Sequence, residues 1–125
     1  MVSCLLDTSI LVDLLRLYQP ARQWVATQAK PGIVTVVALE LIEGAENNGA
    51  LRPVLKLLKD FETVPMDNLD LEWAKDNLTK FHLSHNVDAM DCLIAATSHR
   101  LQIPLYTRNM KHFVPLLGVL ARKPY

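Results

Sequence analysis

The chain has little cysteine and no long apolar run, and both absences exclude classes of protein. The only cysteines are Cys4 and Cys92, each inside a run of apolar residues. This placement is typical of buried, reduced thiols, and a disulfide between the two is the less favoured alternative. No stretch approaches the roughly 20 apolar residues that a membrane span needs. The first residues lack a basic stretch followed by an apolar one, so we expect no signal peptide and a cytoplasmic protein.

The chain also lacks an excess of charge of either sign. Lys and Arg together number 13, as do Asp and Glu, so the net charge is zero. This balance excludes a generally basic coat for nucleic acid but not a local groove. Aromatic residues make up only 6% of the chain, which argues against an aromatic platform for stacking single-stranded bases. At 125 residues, half of them apolar, we expect one domain, residues 1–125, with its own core.

Short apolar runs alternate with segments of helical periodicity along the chain. Strands are predicted at 2–6, 33–36, 63–65, 102–107 and around 118–120. Helices are predicted over 10–17, 20–29, 37–45, 51–61 and 69–83 and from 88 onward, with a turn at 47–49 and loops at 82–86 and 108–113. This alternation predicts an α/β fold with a parallel sheet covered on both faces.

Two polar clusters follow predicted strands. Asp7 comes directly after the first strand and before a helix, and Asn109 follows a later strand together with Arg108 and Lys111. The carboxyl edge of a parallel sheet is where ligands bind in open α/β folds. Asp7 as a plain helix N-cap is the alternative, but Thr8 or Ser9 would serve that role equally well.

Carboxylates also occur in two otherwise apolar helices. Asp88 fits the N-cap of one helix, whereas Asp91 lies a full turn further in, where capping does not need it. Asp91 is therefore a candidate to bind a hard cation, with capping alone as the alternative. Glu40 and Glu43 share the other helix, and periodicity does not choose between them. We expect Asp7, Asn109, Asp91 and one of these glutamates to converge at one edge, where carboxylates that raise one another's pKa favour a bound cation.

Four segments, in this order along the chain, resemble the motifs of PIN-domain ribonucleases of the VapC toxin type. They are Asp7-Thr8-Ser9-Ile10-Leu11, Glu40-Leu41-Ile42-Glu43-Gly44, Asp91-Cys92-Leu93-Ile94-Ala95-Ala96 and the segment from Thr107 to Phe113. The second resembles a Glu-Leu-x-x-Gly motif, which selects Glu40 over Glu43. Any one of these segments is a weak signal, but four in order at domain-sized spacing are specific.

The resemblance implies a three-layer α/β/α sandwich with a central, mostly parallel sheet. It implies that Asp7, Glu40 and Asp91 hold Mg²⁺ or Mn²⁺ for the cleavage of RNA, with Asp7 and Asp91 binding most directly. Glu40 would ligate the ion or orient the attacking water. Asn109 stands where many relatives carry a fourth acid, so this chain has one charge fewer to offset a second ion. Thr8 or Ser9 would hydrogen-bond a carboxylate or the phosphate.

The resemblance also implies partners: an RNA substrate, a homodimer, and a small antitoxin whose tail covers the acidic pocket. Arg108 and Lys111 flank the site and are candidates for phosphate contacts, with solvent-facing loop charges as the alternative. Two other functions compete. A metal-dependent phosphatase would carry a second Asp two residues after the first, where Ser9 stands. A binding module with a decayed site would explain Asn109 but not the retention of three acids.

Overall fold

Five short strands form one sheet in the computed structural model, which describes residues 1–125. The strands are β1 (Cys4–Leu6), β2 (Pro31–Val34), β3 (Glu62–Val64), β4 (Leu105–Tyr106) and β5 (Ala121–Arg122). Their order is β3-β2-β1-β4-β5, and every neighbouring pair is parallel. The predicted parallel sheet is therefore confirmed, with β1 at its centre.

Seven helices flank this sheet. They are α1 (Thr8–Leu15), α2 (Gln19–Ala26), α3 (Thr35–Glu43), α4 (Asn48–Leu58), α5 (Asn68–His85), α6 (Ala89–Leu101) and α7 (Met110–Leu117), and a short 3-10 turn covers Gly118–Leu120. Helices between parallel strands give the three-layer α/β/α architecture that the sequence predicts. No helix is long and apolar enough to span a lipid bilayer.

The core lies around the central strand. Leu5 and Leu6 are fully buried within a cluster of 24 buried apolar residues. Cys4 and Cys92 belong to the same cluster and are free thiols, so the less favoured disulfide is absent. Burial, with the charges of Asp91 and Asp88, raises the pKa of Cys92 to about 11, which makes this thiol unreactive near neutral pH.

Several predicted boundaries are wrong, each for a local reason. The predicted turn at 47–49 is the start of α4, whose first turn is capped by Asn47 through a 2.9 Å bond from the Ala50 amide. His82 lies in α5, not in a loop, because that helix continues to a left-handed Asn86. The predicted loop at 108–113 forms α7 from Met110 onward.

The last two predicted strands are also displaced. The strand predicted at 102–107 contains only Leu105 and Tyr106, because Gln102 adopts a left-handed conformation that closes α6. The strand predicted around 118–120 is a 3-10 turn, and β5 follows at Ala121. These differences leave the order of elements, and hence the carboxyl edge of the sheet, as expected.

The pairing of β1 with β4 positions the carboxyl edge of the sheet, where the sequence places its candidate site residues. Leu6 lies opposite Tyr106, and the Asp7 amide donates to the Tyr106 carbonyl at 2.9 Å. The two strands therefore end at the same level. Asp7 and Thr107, the next residue of each chain segment, emerge side by side at that edge.

Candidate active site

Asp7 stands at the N-cap position of α1, but its side chain makes no capping bond. Its Oδ2 instead accepts hydrogen bonds from Thr107 Oγ1 at 2.7 Å and from Ser9 Oγ at 3.0 Å. Asp7 as a whole residue is only 5% exposed. The alternative of a plain N-cap is therefore wrong, since two hydroxyl groups rather than helix amides orient this acid.

Glu40, on α3, is held by the residue that follows Asp7. Thr8 Oγ1 donates to Glu40 Oε1 at 2.7 Å, so Thr8 does hydrogen-bond a carboxylate. Glu43 is exposed on the same helix and makes no hydrogen bond or ion pair. The structure thus places Glu40, and not Glu43, beside the residues at the end of β1.

Asp88 and Asp91 form a reciprocal capping box at the start of α6. Asp88 Oδ1 accepts from the Asp91 amide at 2.8 Å, and Asp91 Oδ2 accepts from the Asp88 amide at 3.2 Å. The N-cap assignment of Asp88 is confirmed. The expectation that capping has no need of Asp91 is wrong, because an acid three residues after the N-cap reaches back to its amide.

Each of the three candidate ligands has one anchored oxygen and one free oxygen. Asp7 Oδ2, Glu40 Oε1 and Asp91 Oδ2 accept the bonds described above, whereas their second oxygens have no protein partner. No buried side-chain nitrogen or oxygen in the protein lacks a hydrogen-bond partner. The three free oxygens are therefore accessible to solvent or to a ligand.

The acids also influence one another electrostatically. Burial raises the pKa of Glu40, and the charges of Asp7 and Asp88 add to this effect against the hydrogen bond from Thr8. Burial likewise raises the pKa of Asp91; Asp88 and Asp7 again contribute, while the Asp88 amide and His112 oppose. Because the charge of Asp7 acts on both, the acids share one region of negative potential.

The acidic cluster is open. No three acidic, histidine or cysteine side chains lie close enough to hold one ion among them. An open set of hard carboxylate oxygens nevertheless suits Mg²⁺, which keeps several of its waters and takes one or two carboxylates directly. The donor chemistry therefore fits a divalent cation bound partly through water.

Asn109 lies at the same edge and contacts His112. The backbone amide of Asn109 donates to Thr107 Oγ1 at 2.9 Å, and its side-chain Nδ2 lies 3.0 Å from His112 Nδ1. The same Nδ1 lies 2.9 Å from Asp91 Oδ2. A single ring nitrogen either donates to Asp91 or accepts from Asn109, so the tautomer of His112 decides which neighbour it orients.

The two candidate RNA-binding cations differ in their surroundings. Arg108 Nη1 forms an ion pair with Asp13 Oδ2 at 2.9 Å, and its side chain is 48% exposed. Lys111 is exposed and forms no ion pair.

Sequence reasoning assigned no role to Thr107, His112 or Asp13. Thr107 and His112 lie within the motif segment from Thr107 to Phe113. The spacing of three residues between Asn109 and His112 was the signal that could have predicted their contact.

A groove adjoins the acids. It encloses about 350 Å³ between α1, α3 and α4. Thr8 and Glu40 lie in its wall with mostly apolar neighbours, which are Val12, Leu15, Leu41, Gly44, Ala45, Ala50, Pro53 and Val54. The acidic edge thus continues into an apolar surface.

Fold and site together define an α/β protein with an acidic site at the carboxyl edge of its parallel sheet. The family model of the PIN domain matches residues 4–113, and the chain belongs to this family. Ribonuclease VapC10 of Mycobacterium tuberculosis is 31% identical over 112 residues, which are 87% of this chain and 84% of that protein.

Solved structures share the fold. A toxin-antitoxin complex from Klebsiella pneumoniae contains a chain with a TM-score of 0.81 at 24% identity, covering 98% of both chains. The DNA-bound VapBC from Salmonella typhimurium contains one with a TM-score of 0.81 at 19% identity, covering 100% of both. These likenesses confirm the three-layer PIN-like fold that the sequence motifs imply.

Proposed function

We propose that this PIN-domain protein is an endoribonuclease that hydrolyses RNA phosphodiester bonds with Mg²⁺ or Mn²⁺, as the toxin of a toxin–antitoxin pair. The 31% identity to a protein named as a ribonuclease supports the activity. The observation that carries the proposal is the set of free oxygens on Asp7, Glu40 and Asp91, each on a carboxylate whose other oxygen is anchored.

Asp7 and Asp91 would hold the cation most directly, in part through its bound waters, and Glu40 would ligate it or orient the attacking water. A divalent ion at this site would supply a lower pKa for a ligated water and an offset for the charge that builds on the phosphate. The anchoring bonds from Thr107, Ser9 and Thr8 fix the carboxylates before substrate arrives, so little reorganisation remains during the reaction.

Glu40 is suited to orient the attacking water and accept its proton. Burial and the neighbouring acids raise the pKa of Glu40, which brings a carboxylate closer to the range of an effective general base. Its Oε1 is occupied by Thr8, so Oε2 is the atom that would receive the proton. Asn109 contributes no charge and would help to orient the site through His112.

The partners follow from the surface and from the neighbours. Lys111 and the exposed part of Arg108 would contact RNA phosphates. We propose an antitoxin that covers the apolar groove beside Glu40, because the structural neighbours include toxin-antitoxin complexes and the groove opens at the acids. A homodimer, a cytoplasmic location and a single domain over residues 1–125 complete the proposal.

Cleavage of RNA by the purified protein, freed of any partner, tests the activity. We expect cuts with Mg²⁺ or Mn²⁺, none with EDTA, and none from an Asp7→Asn variant that keeps the wild-type circular dichroism. Glu40→Gln should lose most activity, whereas Glu43→Gln, an exposed acid on the same helix, should retain it. Comparing these two variants distinguishes the loss of a site residue from the loss of any negative charge on α3.

Two results would contradict the proposal. A metal-dependent, fully active Asp7→Asn protein would remove the assigned ligand. Absence of both cleavage and divalent-ion binding by calorimetry in the wild-type protein would favour a binding module instead.

A further inference from the structure

Asp13 is a buried acid outside the acidic cluster. It lies on α1, only 4% exposed. Its Oδ2 accepts from Arg108 Nη1 at 2.9 Å and from the Tyr125 hydroxyl at 2.6 Å. A buried carboxylate is tolerated only with such partners, so the three side chains form a connected unit.

Two aromatic rings lie beside the cation of this unit. The guanidinium carbon of Arg108 lies 5.7 Å from the ring centroid of Tyr18 and 5.9 Å from that of Tyr125. The Tyr125 ring also packs edge-on against Trp24, with centroids 6.4 Å apart. Cation–π contacts with two neighbouring rings restrict the guanidinium more than the ion pair alone would.

The backbone of Arg108 is joined to the Asp7 carboxylate. Its amide donates to Ser9 Oγ at 3.1 Å, and Ser9 Oγ donates to Asp7 Oδ2 at 3.0 Å. The residue before Arg108, Thr107, donates directly to the same oxygen at 2.7 Å. Arg108 is therefore the centre of a three-residue segment, 107–109, that orients Asp7.

We propose that Asp13 and Tyr125 are positioning residues: by anchoring the Arg108 guanidinium they hold segment 107–109 so that Thr107 and Ser9 keep the Asp7 carboxylate turned toward the site. The effect on catalysis rests on the proposed nuclease function. The effect on the segment does not, because it concerns hydrogen bonds within the folded protein. This role of Arg108, through its backbone and its anchor, is separate from the phosphate contact proposed for its exposed part.

Amide hydrogen exchange measured by NMR on the full chain tests the anchoring. In Tyr125→Phe, which loses one hydroxyl and keeps the ring, we expect exchange at the Arg108 and Asn109 amides to accelerate about tenfold, with amides of α5 unchanged. Asp13→Asn should have a larger effect at the same amides. Tyr18→Phe is the matched control, because the Tyr18 hydroxyl makes no hydrogen bond, and it should leave these rates unchanged. Unaltered exchange in Tyr125→Phe and Asp13→Asn would overturn the proposal.

Kinetics distinguish positioning from a merely structural role. We expect kcat for RNA cleavage to fall about tenfold in Tyr125→Phe with KM unchanged, because only the orientation of Asp7 suffers. Ser98→Ala is the control for a general loss of stability. It removes the hydrogen bond from the buried Ser98 hydroxyl to the Ile103 carbonyl, near the end of α6 that lies away from Asp91, and its kcat should be normal. An unchanged kcat, or a raised KM with a weaker salt dependence, would refute positioning and assign Arg108 to phosphate binding. If the wild-type protein cleaves no RNA, the nuclease proposal fails, and the exchange rates still decide the anchoring.

Discussion

Thr107 Oγ1 donates a hydrogen bond of 2.7 Å to Asp7 Oδ2, across 100 residues of sequence. Both residues are almost completely buried, and each follows directly on a strand of the pair β1–β4. The bond therefore joins the ends of two neighbouring strands and orients a candidate metal ligand at the same time. Stability and function are coupled at this point.

Replacing Thr107 with Val should cost about 1.5–3 kcal/mol of unfolding free energy, because the substitution removes a buried hydroxyl bond to a charged group. It should also reduce cleavage, since Asp7 loses one of its two orienting donors. Urea denaturation measures the first effect and RNA cleavage the second. Thr107→Ser keeps the hydroxyl and should retain most of both. A Val variant as stable as Thr107→Ser would contradict the coupling.

Replacing Glu40 with Gln should stabilise the metal-free protein at pH 7. Burial and neighbouring acids raise the folded-state pKa of Glu40 above its ordinary value of 4.5. The folded protein then binds more protons than the unfolded chain between those two pKa values, so its stability falls as pH rises through that window. Gln removes this penalty and can still accept the bond from Thr8. Because the group is partly exposed and screened, the gain is below about 1 kcal/mol.

Urea titrations in EDTA at pH 7 and pH 4 check this sign. The advantage of Glu40→Gln should vanish at the lower pH, where the wild-type carboxyl is protonated. Added Mn²⁺ should stabilise the wild type more than the variant. Glu43→Gln is the control and should show no such pH dependence. A Gln variant less stable than wild type in EDTA at pH 7 would mean that Glu40 contributes something other than repulsion.

Replacing Asp70 with Asn should destabilise the fold away from the acidic site. Asp70 is 1% exposed and accepts bonds from Arg100 Nε at 2.8 Å, Thr97 Oγ1 at 3.1 Å and the Asp67 amide at 3.1 Å. Burial alone would raise the pKa of Asp70, but Arg100 and the other donors lower it below its ordinary value of 3.8. We expect a loss of about 2–4 kcal/mol at neutral pH, since one partner of a mostly buried ion pair is removed.

The pH dependence of that loss follows from linkage. A lowered folded-state pKa contributes stability that is fully present above 3.8 and disappears as pH falls through the folded value. The difference between wild type and Asp70→Asn should therefore shrink in strong acid, which denaturation curves between pH 6 and pH 2 would measure. Asp76→Asn, an exposed acid on the same helix, should change little at any pH. A constant difference down to pH 2 would be evidence against the ion pair as its source.

Replacing Gly32 with Ala should overpack the sheet. A Cβ atom at this position would lie 2.5 Å from Val2 Cγ1 and 3.1 Å from the Glu62 carbonyl oxygen. We expect a loss of about 1–3 kcal/mol, measured by chemical denaturation. Val2→Ala removes the nearer atom, so the double variant should lose less than the sum of the single variants. Strict additivity would show that the Glu62 carbonyl, rather than Val2, sets the cost.

Local pattern was sufficient to predict much of this protein. The alternation of apolar strands and periodic helices predicted the parallel α/β fold, because burial on both faces of a sheet leaves uniformly apolar strands. The four motif segments then selected Asp7, Glu40, Asp91 and Asn109, and parallel topology predicted that they share one edge. Helix boundaries were predicted less accurately, as at the start of α4 and the end of α5. A capping residue or a left-handed residue sets where a helix begins or ends without changing its apolar periodicity.

The sequence by itself determined the order of elements and the candidate acids, both of which depend on residues near one another in the chain. Only the tertiary structure decided that Thr107 holds Asp7, and that Arg108 and Tyr125 both donate to Asp13. The last of these bonds joins residues 112 positions apart. Such partners are set by side-chain directions and strand register after folding, and no spacing within a single helix or strand encodes them.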